Sequence, residues 1–173
     1  MQDLILLALE NNNEELTKLL FEHTKPEYRI EIQTSIFKKI MDATYPKKEK
    51  LKSQKTIGLL FSEGQSVAKY PLRLVFSETK NQEEKLLFGV SVSKKHFKNA
   101  VDRNYFKRVL RECYRLNKSI LHNQFNKTYA VLFFYQTKER LSYQEINEKT
   151  IQLFEKWVKK IQEYEQENQN NTQ

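Results

Sequence analysis

The chain of 173 residues has a single cysteine, Cys113, which excludes an internal disulfide and a cysteine-built metal cluster. Three glycines and three prolines leave no room for a low-complexity linker, and neither a glycine-rich phosphate loop nor a nucleophile elbow is present. Long apolar runs are missing too. The run at residues 4–9 falls far short of the roughly 20 residues that cross a bilayer, and no basic stretch precedes it as in a signal peptide. The expected protein is cytoplasmic, with no membrane partner. No His, Asp or Glu spacing recurs that would mark a metal site, so none is assigned to the protein itself.

What the chain does have is positive charge, +8 in all and unevenly spread. Residues 1–43 carry five Lys/Arg against eight Asp/Glu, so the remainder holds a net +11. Nucleic acid is the commonest partner of such a domain. The charge peaks in residues 94–118, with nine Lys/Arg against two acids, Asp102 and Glu112. Wound as a helix at about 100° per residue, Arg103, Asn104, Lys107, Arg108, Arg111 and Arg115 share one arc. Tyr105, Phe106, Val109, Leu110, Cys113 and Tyr114 fill the other. Asn99 is the expected N-cap, with Asp102 placed to reach back toward it. A basic helix face is often only solvated surface. Here the arc excludes acids and includes Asn104, whose amide both donates and accepts, while guanidinium groups suit phosphate oxygens.

Around this stretch the chain reads as helices and a sheet. Residues 1–43 suggest short helical pieces at 4–9, 14–21 and 36–41. A core helix is expected over 53–64, capped by Ser53 and stopped by Gly64, with Ile57, Leu60 and Phe61 on one face. Strand-like runs follow at 67–76 and 86–93, joined by a polar turn at 77–85, and a third, strongly apolar run spans 128–135. Tyr70-Pro71 divides the first run if it forms two strands. Ser142 and Glu145 make a capping box before the stripe Ile146, Leu153, Phe154, Trp157, Val158 and Ile161. The tail 165–173 is polar and expected to fray. The order αββαβα implies an α+β sandwich, a sheet with helices on one face. Expected domains are a helical extension at 1–43, a basic nucleic-acid-binding domain at 44–164 and the tail at 165–173.

Phe88 to Lys95, FGVSVSKK, followed by KNAVDRNYFKRVLRE from Lys98 to Glu112, resembles the signature of the bacterial ribonuclease P protein subunit. Upstream, YPKKEKLKS, LLFSEG and YPLRLVF resemble that family's opening, so the likeness spans about residues 45–160. It departs at Tyr105, where the family usually has a third basic residue. Residues 1–43 have no counterpart in the family core, and Met41 lies just before it as an alternative start. The resemblance implies a two-layer sandwich like ribosomal protein S5 domain 2, with four strands and a left-handed βαβ crossover carrying the basic helix, although handedness statistics favour the opposite.

The resemblance also implies a role. In the ribonuclease P holoenzyme a catalytic RNA with bound Mg²⁺ removes the 5′ leader of precursor tRNA, and the small basic protein assists. Matched by position, Lys95, Arg103, Asn104, Lys107, Arg108 and Arg111 fall on the family's RNA-binding helix and its approach. Lys94 is a weaker match, and Arg115 extends the same arc. Phe61, Ile57 and Val75 match a cleft that holds the leader, although all three are also plausible core residues. Mg²⁺ is implied as a cofactor of the RNA, with none held by the protein alone. Two other functions fit a basic α+β domain: general RNA binding of ribosomal-protein type, and a protein-only ribonuclease using His96, His122 and Lys95.

Overall fold

The computed structural model describes residues 18–19, 22–25, 44–79, 85–121 and 124–170, with side chains through 165. The chain divides into two units, residues 1–44 and 45–173. The helical pieces expected within 1–43, and residues 80–84 of the polar turn, lie outside the described residues, except that Lys18 and Leu19 are helical.

The second unit begins with a 3-10 turn at Lys47–Glu49 and continues through α1 (Gln54–Glu63), β1 (Gln65–Lys69), β2 (Leu72–Glu78), β3 (Leu86–Val92), α2 (Ala100–Asn117), β4 (Tyr129–Tyr135) and α3 (Tyr143–Asn170). The strands form one sheet in the order β1-β2-β4-β3. The first expected run is two antiparallel strands, Lys69 facing Leu72 across a hairpin made by Tyr70 and Pro71, whose peptide bond is cis. β2 and β4 are antiparallel. β3 and β4 are parallel, which requires a crossover, and α2 lies within it.

Helices cover both faces of the sheet, not one. α2 and α3 cover Phe76, Phe88, Val131 and Phe133, while α1 covers Val75, Ala130 and Leu132 through Leu60. The reason lies in β4, where buried residues run consecutively from Tyr129 to Phe133. A strand apolar at successive positions sends side chains to both faces, and each must be covered. Each fully buried Leu or Phe contributes about 1.5–3 kcal/mol. On the α2/α3 face Tyr114 stacks on Phe88 at 3.8 Å, planes 10° apart, and Trp157 packs among Phe76, Phe125 and Tyr129.

Helix ends follow their local chemistry. Ser53 Oγ accepts the Thr56 N–H at 3.3 Å, capping α1. At its other end Gly64 permits close approach, since an added Cβ would lie 2.1 Å from the Leu60 carbonyl oxygen and 2.8 Å from Val75 Cγ1. The Ser142/Glu145 capping box forms, with Glu145 Oε2 accepting from the Ser142 N–H at 2.9 Å and Ser142 Oγ accepting from the Glu145 N–H at 3.3 Å. Of the tail expected to fray from 165, residues 165–170 are helical and 171–173 lie outside the described residues. α3 continues to Asn170, and Glu165 accepts hydrogen bonds from Asn126 Nδ2 at 2.9 Å and the Tyr129 hydroxyl at 3.4 Å.

Both sheet edges are guarded. Along β3, the Leu51 N–H donates to the Phe88 carbonyl at 3.0 Å, and the Tyr45 hydroxyl donates to the same oxygen. Along β1, Lys156 and Lys160 donate to the carbonyls of Ala68 and Ser66 at 3.2 and 3.3 Å.

Candidate nucleic-acid interface

The basic surface is built outward from an aromatic stack. Phe97 lies 4.6 Å from Phe106, which lies 4.7 Å from Tyr135, so the start of α2 is pinned to the end of β4. Between β3 and this stack, Ser93 organises a turn: its carbonyl accepts from the N–H groups of His96 and Phe97, and its Oγ from that of Lys95 at 3.1 Å. The turn leaves Lys94 and Lys95 exposed. Along α2, Phe106, Val109, Leu110, Cys113 and Tyr114 are buried, while Asn104, Arg108 and Arg111 are exposed and Lys107 is half-buried.

The arc is not uniform. Arg103 turns back on its own turn, donating to the carbonyls of Phe97 at 2.9 Å and Lys98 at 2.5 Å. Arg115 makes a two-pronged contact with Glu112, at 2.9 and 2.6 Å. That leaves Lys107, Arg108 and Arg111 as helix cations with no acidic partner among the described residues, joined on the approach by Lys94 and Lys95. At the helix start one expectation holds in position and the other is corrected. Asn99 occupies the N-cap position without a side-chain cap bond, and Asp102 pairs with Arg140 at 2.7 Å instead of reaching back. A strong acceptor was available to a cation elsewhere in the fold. Tyr105 is also misplaced by the simple arc, being 49% exposed on the shoulder of the helix.

A second candidate surface lies where α1 packs on β2 and β4. Phe61 is 67% exposed, so it is not a core residue, whereas Ile57 is half-buried and Val75 is buried. Phe61 meets Phe134 edge-on, ring centroids 6.2 Å apart. Phe134 was not singled out from sequence because the run around it is apolar on both faces and hides the alternation. Its neighbour across the ladder, Arg73, is exposed and donates to Ser66 Oγ at 3.1 Å.

A clamp also escaped sequence reasoning. Glu49 accepts from Lys118 Nζ at 2.8 Å and from the Tyr114 hydroxyl at 3.1 Å, tying the segment before α1 to the end of α2. Beside it, burial pushes the Tyr45 hydroxyl up to about 12, with the Arg111 cation pulling the other way. Burial likewise raises the Cys113 thiol to about 11, which makes it a packed thiol, not a nucleophile. His96 is half-buried in the Ser93 turn, and His122 lies outside the described residues. Among the described residues no three His, Cys, Asp or Glu side chains converge as metal ligands. No described helix is long and apolar enough to cross a membrane.

The family model described as Ribonuclease P matches residues 45–158. The chain belongs to the ribonuclease P protein family. It is a subunit of ribonuclease P, in tRNA processing. Over 100 residues it is 40% identical to the Ribonuclease P protein component of Porphyromonas gingivalis, covering 55% of this chain and 72% of that one. The Chlorobaculum tepidum component is 37% identical over 82 residues, 44% of this chain and 52% of its own. Among solved structures, the RNase P protein from Thermotoga maritima has a TM-score of 0.51 at 25% identity, covering 62% of this chain and 96% of that one. The Staphylococcus aureus RNase P protein, with a TM-score of 0.53 at 22% identity, covers 65% and 96% and shows the fold.

Proposed function

We propose that this subunit binds the catalytic RNA of ribonuclease P through the outward face of α2 and its approach, and the 5′ leader of precursor tRNA in the cleft between α1 and the sheet. Lys94, Lys95, Lys107, Arg108 and Arg111 neutralise phosphates of the catalytic RNA, and Asn104 adds an amide that donates or accepts. Arg103 holds the helix start and Arg115 contributes through its pair with Glu112. In the cleft Phe61 stacks on a leader base, with Phe134 behind it and Ile57 and Val75 forming the wall. Stacking of this kind grips unpaired nucleotides without reading sequence.

The observation that carries the reading is the set of acid-free cations Lys107, Arg108 and Arg111 on a helix whose opposite side is core. Bringing together catalytic RNA and precursor tRNA costs electrostatic repulsion, which such cations reduce while releasing counterions. In this reading the hydrolytic chemistry belongs to the RNA with its Mg²⁺, and the protein binds and positions. The proposed fold class remains the ribosomal-protein S5 domain 2-like sandwich with a left-handed crossover, supported by the four-stranded sheet and the parallel β3–β4 pair. Residues 1–43 form a separate extension, and a chain begun at Met41 is expected to fold and function. The complex works in the cytoplasm.

Reconstitution tests this reading. Catalytic RNA plus this chain should cleave precursor tRNA at near-physiological Mg²⁺, leaving a 5′-phosphate on the tRNA, while the chain alone should not cleave. Cleavage by the chain alone would establish a protein ribonuclease. Binding to RNA without any stimulation of cleavage would leave a general RNA-binding protein.

A further inference from the structure

One aromatic on α2 is out of keeping with the others. Phe106 and Tyr114 are 0% and 1% exposed, yet Tyr105 is 49% exposed. Its ring meets Phe106 at 5.1 Å with planes 82° apart, so the edge of the core fixes its orientation while much of its surface faces solvent. The hydroxyl has no hydrogen-bond partner among the described residues. Val101, one turn earlier on the same side, is 79% exposed. Asn104 adjoins Tyr105, and Arg108, three residues on, lies about 60° around the helix.

We propose that Tyr105 stacks on an unpaired base of the catalytic RNA, with Val101 as an apolar shelf beside it and Asn104 and Arg108 holding the adjacent phosphodiester. This rests on the assignment of the outward face of α2 to that RNA. Charge complementarity selects the occupant, because a ring beside an acid-free guanidinium meets a polyanion whose bases have exposed π-faces. Tyr105 thus offers a short-range contact where a cation at the same position would offer a long-range, salt-sensitive one. Specificity is gained as well, since stacking needs an unpaired base and a phosphate contact does not.

The test measures affinity of the full-length chain for its cognate catalytic RNA across a series of KCl concentrations. Tyr105→Phe should bind within about twofold of the parent, and Tyr105→Ala and Tyr105→Leu about tenfold more weakly, as loss of one stacked base implies. The log–log salt slope of these variants should stay at the parent value because no charge is lost, while Tyr105→Arg should steepen it by about 0.7–0.9. Leucine preserves packing on Phe106, so a loss shared by Leu and Ala identifies the aromatic face, not bulk. Parent-like binding by Tyr105→Leu overturns the stacking proposal. If Tyr105→Ala binds like the parent while Arg108→Ala binds more weakly, only this inference falls. Should neither variant weaken binding, the assignment of α2 to the catalytic RNA falls with it.

Discussion

The two surfaces proposed to work in this subunit are built in opposite ways. The basic face belongs to one helix, and its cations stand on side-chain stems above a core that does not need them. The proposed leader cleft is assembled from α1, β2 and β4, and its wall residues Ile57 and Val75 pack in the same cluster as Leu60 and Leu132. A surface made of protruding charge can change without disturbing the fold. A surface made of the edge of a core cannot, except at its rim, where Phe61 stands exposed.

That contrast breaks if substitutions on the two surfaces have the same consequences. The largest expected effect is on the basic face. Replacing Arg108 and Arg111 by Ala should weaken catalytic-RNA binding by roughly 2–4 kcal/mol, taking charge-assisted contacts at about 1.5–3 kcal/mol each and discounting for exposure. Melting temperature should hardly move. Gly64→Ala comes next, and acts in the opposite sense. Its added Cβ presses on Leu60 and Val75, so thermal unfolding should show a loss of about 1–3 kcal/mol from overpacking. Precursor discrimination should weaken with it, while catalytic-RNA affinity stays at the parent level. Phe61→Ala should reduce the holoenzyme's preference for precursor over mature tRNA by about 1 kcal/mol if one base stacks there. Its melting temperature should change little, since the ring is 67% exposed.

The smallest effect concerns pH. The hydrogen bond from Arg115 lowers the Glu112 carboxyl below its usual 4.5. A folded-state pKa below the unfolded value means the contribution is present above about 4.5 and is lost as pH falls through the lower folded value. The pair is substantially exposed, so the contribution should be about 0–1 kcal/mol. Comparing unfolding of the parent with Glu112→Gln across pH should reveal only a slight difference, present above about pH 4.5, vanishing in acid as Glu112 protonates, and reduced by salt.

The basic face was legible in the sequence because helical period and charge are local properties. Positions 104, 107, 108 and 111 face outward as their spacing requires. What spacing could not show was where the competing acceptors lie. Arg103 meets two main-chain carbonyls, and Asp102 finds Arg140, which lies far along the chain. The cleft was legible only in part. Phe61 was found through its family position, but Phe134 sits in β4, where apolar residues on both faces erase the two-residue period that would have marked it. The same run explains why helices on both faces of the sheet were missed. The Glu49–Lys118 clamp joins residues with no local pattern between them, and only the fold brings them together.

The most direct test of the division between the surfaces is the salt dependence of catalytic-RNA affinity. For the parent the log–log slope should be on the order of −4 to −8, as expected for about five to nine phosphate contacts. Phe61→Ala should retain that slope, and Arg108→Ala with Arg111→Ala should flatten it by about 1.4–1.8. A parent slope near zero, or a helix variant with an unchanged slope, would contradict the placement of the catalytic RNA on α2.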